Sequence, residues 1–379
     1  MKHSVFVIVM ALAMFSCNAQ PRHAADPADT PAPQADTTLT VDEAIGMMLM
    51  VGFRGTSVSE KATPDIVSAL RDYHVGSVIL FDYDAPTGKR GRNIQSPKQV
   101  RRLCAQLRGY NPNLIIGIDQ EGGLVSRLAP RYGFPRFLSA EQCAAKGDDT
   151  LRHYARLTGR TLAGLGINLN FAPVADVNVN PQCPVIGHIH RSFSADPARV
   201  THCCRLWSSV QGKEGVAGCL KHFPGHGSAQ GDTHMGLTDV SDTWQRLELE
   251  PYRDLDDPHT MVMTAHVINR RLDPSGLPAS LSPAITSYLR DTLGFRGVIV
   301  TDDLAMGAIT GQYTFETAVR MAVLAGADLL CLSNNGSGVY DPQMTARAVA
   351  VIKQMLADGD IAEQRVVESA RRVRRAVAF

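Results

Sequence analysis

The chain alternates between short apolar runs and longer stretches in which apolar residues recur every three or four positions. The short runs are rich in valine, isoleucine and leucine, and turn-forming or polar residues bound them. Runs of this length and composition are typical of buried β-strands. The pattern predicts eight strands, at residues 48–53, 76–81, 114–119, 167–173, 216–222, 260–265, 297–302 and 327–332.

Amphipathic helical stretches lie between the predicted strands, at residues 63–73, 97–107, 149–165, 197–211 and 315–324. Alternating strands and helices favour a parallel sheet, and eight repeats favour an α/β fold of the (β/α)8 TIM-barrel type. A doubly wound open sheet is the competing architecture, but no GxGxxG motif follows the first strand. The last segment, 342–378, has a helical pattern with a break at Gly359, which predicts C-terminal helices that close a single domain.

The first residues have the organisation of an export signal. A short basic start precedes an apolar run at 4–15, which is too short to span a bilayer well and suits a signal-peptide core. A small residue and then Cys17 follow, a pattern that resembles a bacterial lipoprotein processing site. We therefore predict a signal peptide over 1–17, lipidation of Cys17, and a periplasmic, outer-membrane or cell-surface location. Cleavage after Ala19 and retention in the cytoplasm are the alternatives.

Residues 18–40 are rich in alanine, proline, aspartate and threonine and predict a flexible tether, which leaves 41–379 for the barrel. The 379-residue chain has a net charge of +1, which argues against a nucleic-acid partner. We expect a monomer that meets a membrane only through a lipid on Cys17. Seven of the eight cysteines follow Cys17 without any CxxC pair. They predict neither a zinc framework nor a dense disulfide scaffold, while a single disulfide stays open.

Polar residues gather where the predicted strands end. The carboxyl ends of parallel strands meet at one mouth of a barrel, so these side chains are expected to share one pocket. At the seventh strand, we expect Asp302 to face the pocket and Asp303 to cap a helix or brace the turn. The strand-end residues are Asp119, Asp176, Asn178, Lys221, His222, His266, Asp302 and Asp303.

The stretch 221–237, KHFPGHGSAQGDTHMGL, concentrates histidine and glycine directly after the fifth predicted strand. A plain surface loop is the alternative, but it gives no reason to collect imidazoles beside a buried strand. In an extended loop, residues i and i+2 lie on the same side, so Asp232 would hold the imidazole of His234 and prepare it for proton transfer. Glycines would let this loop move over a substrate: Gly225, Gly227 and Gly231.

An aspartate beside lysine and histidine at a strand end suits either metal binding or nucleophilic attack on carbon. Candidate metal ligands are present at His188 and His190 and within 221–237. In metal-dependent barrel hydrolases, however, an HxH pair usually closes the first strand, and here it does not. Lys221 would also repel a cation. We therefore predict a carboxylate nucleophile, with no metal and no cofactor.

Several motifs in a fixed order carry a family resemblance: IDQEGG, RSF, KHFPGHG followed by GDTH, MTAHV, PASLS and VTDDLAM. Together they resemble glycoside hydrolase family 3, and more closely its single-domain β-N-acetylglucosaminidases, over roughly residues 41–340. Two-domain β-glucosidases of that family lack the histidine dyad and take an acid/base carboxylate from a distant segment. This sequence carries the dyad, and its pattern predicts no further sheet domain after residue 335.

The resemblance implies a role for each matching residue. Asp302 matches the catalytic nucleophile, His234 the general acid/base and Asp232 its partner. The other matches are to residues that bind the sugar: Asp119, Arg127, Arg191, Lys221 and His222. The sequence departs from the family at two places. The stretch 187–191 is longer than usual, which leaves the position of Arg191 open, and Leu124 replaces a charged residue, which predicts a more apolar pocket rim.

The resemblance also implies the reaction, a double displacement with retention. Asp302 would attack the anomeric carbon while His234 protonates the leaving oxygen. The expected activity is that of an exo-β-N-acetylhexosaminidase that removes terminal N-acetylglucosamine from glycans or peptidoglycan fragments. The alternatives are a glycoside phosphorylase, a β-glucosidase of the same family, and a lipid-anchored sugar-binding protein without catalysis.

Overall fold

The computed structural model describes Met1, residues 39–336 and residues 338–379. The chain divides into two units, Met1–Thr38 and Leu39–Phe379, and the fold reported below is that of the second unit. The signal peptide, the lipidated Cys17 and nearly all of the tether predicted from the sequence lie outside the described residues.

Within the described part of Leu39–Phe379, eight parallel strands form one sheet. The strands are β1 Leu49–Gly52, β2 Ser77–Leu80, β3 Ile115–Ile118, β4 Leu169–Asn170, β5 Ala217–Phe223, β6 Thr260–Thr264, β7 Ile299–Thr301 and β8 Leu330–Leu332. From β1 to β7 each strand pairs with the next along the chain, and β8 pairs with β1. The edge strands β7 and β8 are joined by the bridge between Val300 and Leu329. The sequential order confirms the predicted (β/α)8 barrel, and the doubly wound alternative is wrong.

The predicted strands and helices are all present, and every strand except β5 is shorter than the sequence suggests. The largest difference is at β4, where a two-residue strand replaces the prediction at 167–173. Pro173 has no N–H to donate, so the regular ladder stops before it. The chain nevertheless stays beside β5, because the N–H of Ala175 donates to the carbonyl of Lys221 (2.7 Å).

Helices surround the barrel and carry the expected end signals. The helices are α1 Val41–Met47, α2 Pro64–Arg71, α3 Pro97–Tyr110, α4 Ala140–Ala145, α5 Asp148–Leu165, α6 Pro197–Gly212, α7 Pro283–Ser287, α8 Gly307–Thr310, α9 Phe315–Ala325, α10 Met344–Ala357 and α11 Glu363–Ala376. At α3, the Ser96 hydroxyl accepts the N–H of Gln99 (3.2 Å), and Pro97 occupies the first turn. The C-terminal pair α10 and α11 breaks around Gly359, as the sequence predicts.

The connection from β5 to β6 differs from the regular pattern. It contains a long loop, the short strand Thr238–Asp239 and a 3₁₀ segment at Arg246–Tyr252 in place of an α-helix. The short strand pairs with Val267–Ile268, which follows β6. This connection contains the stretch 224–237, so the irregular part of the barrel is where the histidine-rich sequence lies.

The inside of the barrel is a packed apolar core, with Met50, Ile115, Cys219 and Val300 among its buried members. At Gly117 in β3, a Cβ atom would meet the Met50 side chain at 3.2 Å, so the missing side chain makes room for its neighbours. A filled interior of this kind leaves space for polar chemistry only at the ends of the barrel.

All seven cysteines of the described chain are buried, and none of them forms a disulfide. Cys219 and Cys331 lie inside the barrel, as their apolar sequence context predicts. Among the described helices, none has the length and apolar character needed to cross a bilayer.

Candidate active site

The strand pleat directs three charged residues into one mouth of the barrel. Residues i and i+2 of a strand lie on the same face, so a residue two positions after an inward-facing one also faces inward. Asp119 follows Gly117 in this way, Lys221 follows Cys219, and Asp302 follows Val300. The N–H of Asp302 also donates to the Thr264 carbonyl of β6 (2.9 Å), so the nucleophile candidate continues the barrel ladder.

A chain of alternating charges lines the pocket. Lys221 Nζ donates to Asp119 Oδ1 (2.8 Å) and lies 2.7 Å from Glu121 Oε1. Glu121 also accepts two hydrogen bonds from Arg191, each of 2.8 Å. Arg127 extends this network at the Asp119 end, where its Nη2 atom lies 3.4 Å from Asp119 Oδ2.

Electrostatics keep these groups ionised. Burial alone would raise the pKa of the Glu121 carboxyl, but Arg191 and Lys221 outweigh it and lower the pKa to about 2. For Asp119, burial again opposes ionisation, and Lys221 and Arg127 lower its pKa overall. Burial would lower the pKa of Lys221, whereas Asp119 and Glu121 raise it. The pocket therefore presents fixed charges to a polar substrate.

The structure settles where Arg191 lies. The longer stretch before it folds into a tight turn, since the His190 N–H donates to the Gly187 carbonyl (3.0 Å) and the Arg191 N–H to the Ile186 carbonyl (3.1 Å). The extra residues are therefore absorbed locally, and the guanidinium reaches Glu121. Glu121 was not singled out from the sequence, although its position two residues after Asp119 in IDQEGG was a usable signal.

His222 is held by a second residue that the sequence did not assign, the buried Asp176. The Asp176 carboxylate accepts the backbone N–H of His222 (3.1 Å) and contacts the Nδ1 atom of its ring (2.6 Å). The other ring nitrogen, Nε2, lies 3.3 Å from Arg191 Nη2, and a guanidinium can only donate. Asp176 and Arg191 therefore hold the His222 ring from its two nitrogen atoms.

Asp302 is half-buried and oriented by its neighbour. The Asp303 N–H donates to Asp302 Oδ1 at 2.8 Å. Burial would raise the pKa of Asp302, but the imidazoles of His266 and His222, this N–H and the imidazole of His234 together lower it. Asp302 is therefore an anion at neutral pH, which is the state that a carboxylate nucleophile requires.

Asp303 braces the turn and does not cap a helix. Its carboxylate accepts hydrogen bonds from the Ser333 hydroxyl, the Ser333 N–H (3.0 Å) and the Ala305 N–H (3.1 Å). Helix α8 begins only at Gly307, after Met306. The helix-cap alternative is wrong, and burial raises the pKa of this second carboxyl, in contrast to Asp302.

Asp232 and His234 are in contact, but through a different backbone from the one expected. Asp232 Oδ1 lies 2.8 Å from His234 Nδ1 and accepts the His234 N–H at 2.8 Å. The Met235 N–H donates to the Asp232 carbonyl (3.0 Å), so the segment is a tight turn and the extended conformation is wrong. The side chain of His234 is 62% exposed, so its ring can exchange protons with solvent.

Two of the loop glycines serve close packing, not the loop motion that the sequence suggested. A Cβ atom at Gly227 would lie 1.8 Å from the Val177 carbonyl oxygen, and one at Gly225 would lie 2.7 Å from the Glu248 side chain. Residues 221–229 are buried, and exposure begins at 230. The first half of the loop is therefore a fixed stem that carries the exposed turn.

The remaining candidates lie outside the pocket or at its edge. His190 Nδ1 contacts Glu141 at 2.5 Å, away from the charged chain. Leu124 is 75% exposed at the tip between the short strands Gln120–Gly122 and Val125–Ser126. In the described ranges, no group of three or more histidine, cysteine, aspartate or glutamate side chains is arranged to hold a metal ion.

An anionic carboxylate and a carboxylate–imidazole pair lie at one barrel mouth, and this arrangement is typical of enzymes that combine nucleophilic attack with proton transfer. The sequence profile described as "Glycosyl hydrolase family 3 N terminal domain" matches residues 40–376. The chain therefore belongs to glycosyl hydrolase family 3, and it is a glycoside hydrolase.

The chain is also similar to named members of this group. It is 36% identical over 304 residues to a beta-hexosaminidase of Alkalilimnicola ehrlichii, covering 77% of this chain and 82% of that protein. A β-N-acetylglucosaminidase structure from Paenibacillus sp. superposes with a TM-score of 0.78 at 34% identity, covering 90% of this chain and 64% of that one. A β-N-acetylhexosaminidase from Beutenbergia cavernae gives a TM-score of 0.78 at 29% identity, covering 90% and 99%.

Proposed function

We propose that the protein is a retaining exo-β-N-acetylhexosaminidase that removes terminal β-linked N-acetylglucosamine from glycans or peptidoglycan fragments. One observation carries the proposal: the turn that holds Asp232 and His234 is bonded to the segment that follows the ionised Asp302, since the Ala308 N–H donates to the Thr233 carbonyl at 3.1 Å. The names of the similar proteins, which are β-hexosaminidases and β-N-acetylglucosaminidases, support the same sugar class.

In the first step, Asp302 attacks the anomeric carbon, and the bond from that carbon to the leaving oxygen breaks. His234 gives its Nε2 proton to this oxygen, because Nδ1 is engaged by Asp232. The products are a glycosyl ester on Asp302, a free alcohol and a neutral imidazole. The Asp303 N–H, bonded to Asp302 Oδ1, fixes the plane of the attacking carboxylate.

In the second step, His234 takes a proton from water through Nε2, and the water oxygen attacks the anomeric carbon. The ester bond breaks, and Asp302 returns to the carboxylate form. Asp232 stabilises the imidazolium that exists before the first step and after the second. Two inversions at the same carbon give net retention of the β configuration.

The charged chain in the pocket would hold the sugar hydroxyls. Asp119 offers carboxylate oxygens as acceptors, while Lys221 and Arg191 offer N–H donors. Because these groups are already paired with one another, their side chains are fixed before the substrate arrives, which lowers the entropy lost on binding. His222 lies on the same side, with its Nε2 atom 3.3 Å from Arg191 Nη2.

The test is turnover of aryl glycosides of N-acetylglucosamine, N-acetylgalactosamine and glucose, each with and without inorganic phosphate. We expect the N-acetylglucosaminide to react fastest and to release the free sugar. Asp302→Ala should abolish turnover and prevent trapping of a fluorosugar ester, whereas Asp303→Asn should still trap it. Faster glucoside turnover would support a β-glucosidase instead, and no turnover at all a sugar-binding protein.

A glycoside phosphorylase is the second candidate, and one observation favours it. The acid/base is an imidazole, which is neutral after it has given up its proton, so it does not repel an incoming phosphate as a carboxylate would. The His234 ring is also exposed to solvent ions. If sugar 1-phosphate is the main product in phosphate buffer, the protein is a phosphorylase and the hydrolase proposal is wrong.

We also propose that the protein is exported, lipidated at Cys17 and otherwise monomeric, on the basis of the leader pattern and the tether in the sequence. Cells that express the full chain should incorporate a labelled fatty acid into it, and Cys17→Ser should remove both the label and the membrane association. A labelled Cys17→Ser chain, or a soluble protein that begins after Ala19, would contradict lipidation at this residue.

A further inference from the structure

The residue between the two members of the dyad is the buried point of an exposed turn. Asp232 is partly exposed and the His234 side chain is 62% exposed, yet Thr233 between them is only 2% exposed. A polar side chain is buried in the middle of a surface turn only when other contacts hold it there.

Thr233 joins two parts of the barrel mouth. Its Oγ1 atom lies 3.3 Å from His226 Nε2, and its carbonyl accepts the N–H of Ala308 at 3.1 Å. His226 belongs to the fixed stem after β5, because its own N–H donates to the buried Asp176 (2.8 Å). Ala308 lies in α8, a few residues after Asp302. Thr233 therefore connects the stem of the loop to the segment that follows the nucleophile.

Gly307 brings the same two segments into direct backbone contact. A Cβ atom at this position would lie 2.5 Å from the His234 carbonyl oxygen and 3.3 Å from the Met235 carbonyl carbon. Any side chain here would push the turn that carries His234 away from the segment after β7. The glycine thus sets how closely the acid/base turn approaches the segment that carries Asp302.

We propose that Thr233 and Gly307 are positioning residues, which fix the imidazole of His234 at the correct distance from Asp302 for proton transfer to the leaving oxygen. The inference rests on the proposed function, because it uses the roles given there to His234 and Asp302. A misplacement of about 1 Å at a catalytic group can reduce the rate about a hundredfold, so a single lost contact is enough to be measured.

The test compares Thr233→Val, which keeps the shape but loses the hydroxyl, with Thr233→Ser, which keeps the hydroxyl. We expect Thr233→Val to lower kcat/KM by tenfold or more on a substrate with a poor leaving group, and by less than about threefold on a dinitrophenyl glycoside, whose departure needs no acid. Thr233→Ser should behave like the natural protein on both. Gly307→Ala should follow Thr233→Val, since it displaces the same turn.

Two controls distinguish a failure of the positioning role from a failure of the proposed function. His234→Ala should show the same selective loss on poor leaving groups, and the melting temperature of each variant tests for general damage. If His234→Ala lowers kcat/KM equally on both substrates, the acid role of His234 is wrong. If His234→Ala is selective but Thr233→Val is not, or if Thr233→Val loses both equally, the positioning role is overturned while the proposed function stands.

Discussion

At the scale of single residues, Glu121 holds two cations of the pocket at once. Its side chain is 5% exposed and contacts both Arg191 and Lys221. A buried carboxylate shared by two cations is more consequential than either pair alone. Its loss leaves Arg191 without its carboxylate partner and Lys221 with Asp119 alone, in a region with little solvent. The pocket depends on this residue although it does no chemistry in the proposed reaction.

We therefore expect Glu121→Gln to lower the free energy of unfolding by about 3 to 5 kcal/mol and to reduce kcat/KM at least tenfold through KM. Urea unfolding and steady-state kinetics measure the two effects. The matched control is Glu60→Gln, which removes an exposed carboxylate 3.1 Å from Arg71 and should change stability by less than about 1 kcal/mol. A Glu121→Gln variant as stable as this control would contradict the shared-charge interpretation.

The same residue predicts sensitivity to acid. The pKa of Glu121 falls from 4.5 to about 2 on folding, so the stability it contributes is present above pH 4.5 and is lost as the pH falls towards 2. The shift corresponds to about 3 kcal/mol. Between pH 5 and pH 2, the free energy of unfolding should therefore fall more steeply with falling pH for the natural protein than for Glu121→Gln. Equal slopes would exclude Glu121 as the source of the acid sensitivity.

Sequence reasoning succeeded at this scale where the partners were near in the chain. Asp232 and His234 are two residues apart, and local geometry forces them together. Glu121 and Arg191 are separated by 70 positions and Asp176 and His222 by 46, so only the closed barrel brings each pair together. The dyad's backbone was mispredicted because side-chain hydrogen bonds to the backbone selected a turn over an extended strand.

At the scale of elements, the 3₁₀ segment Arg246–Tyr252 packs against the buried stem, residues 221–229, that precedes the turn of His234. Glu248 is fully buried there, and its side chain fills the space beside Gly225. One of its carboxyl oxygens accepts the Gln245 N–H at 3.0 Å. Burial raises the pKa of this carboxyl to about 7.

This carboxyl predicts a loss of stability with rising pH. Its pKa is higher in the folded than in the unfolded protein, so its contribution is complete below pH 4.5 and is lost as the pH rises through 7. The expected decrease in unfolding free energy is about 3 kcal/mol, and Glu248→Gln should remove it. Thermal melts between pH 5 and pH 8 measure the slope, and an unchanged slope in the variant would assign it to another group.

Element positions were predictable because the barrel buries nearly every strand residue. Continuous apolar runs give strong strand signals, and Ser96 with Pro97 marks the start of α3. The β5–β6 connection was not predictable in the same way. Its stem is buried through glycines that meet the Val177 carbonyl and the Glu248 side chain, contacts that a sequence pattern does not encode.

At the scale of the whole molecule, Asp328 ties the barrel closure to the C-terminal helices. The buried carboxylate accepts the Ile299 N–H of β7 (3.0 Å), the Ser369 hydroxyl (2.7 Å) and Arg372 Nη1 (2.9 Å) from α11, and it pairs with Arg290. The sequence predicted that the C-terminal helices close the domain. It did not show that Asp328, just before β8, links the barrel to the helix α11.

Asp328→Asn should therefore destabilise the fold by about 3 to 5 kcal/mol without changing KM, because the residue lies away from the pocket mouth. Asp42→Asn is the matched control: its exposed carboxylate pairs with Lys353 of α10 at 2.8 Å, and its loss should matter by less than about 1 kcal/mol. Chemical denaturation with parallel kinetics measures both. A raised KM in folded Asp328→Asn would show that the contacts of Asp328 also determine the geometry of the active site.

The seven buried thiols have a consequence for the proposed route of the protein through the cell. In the folded part of the chain that the structure describes, no thiol reaches the solvent where oxidants act. A polypeptide that crosses a membrane unfolded enters an oxidising compartment with all of these thiols accessible. In that compartment, folding would have to bury the thiols faster than they form non-native disulfides. The rate of burial, and not a native disulfide, would then protect the cysteines.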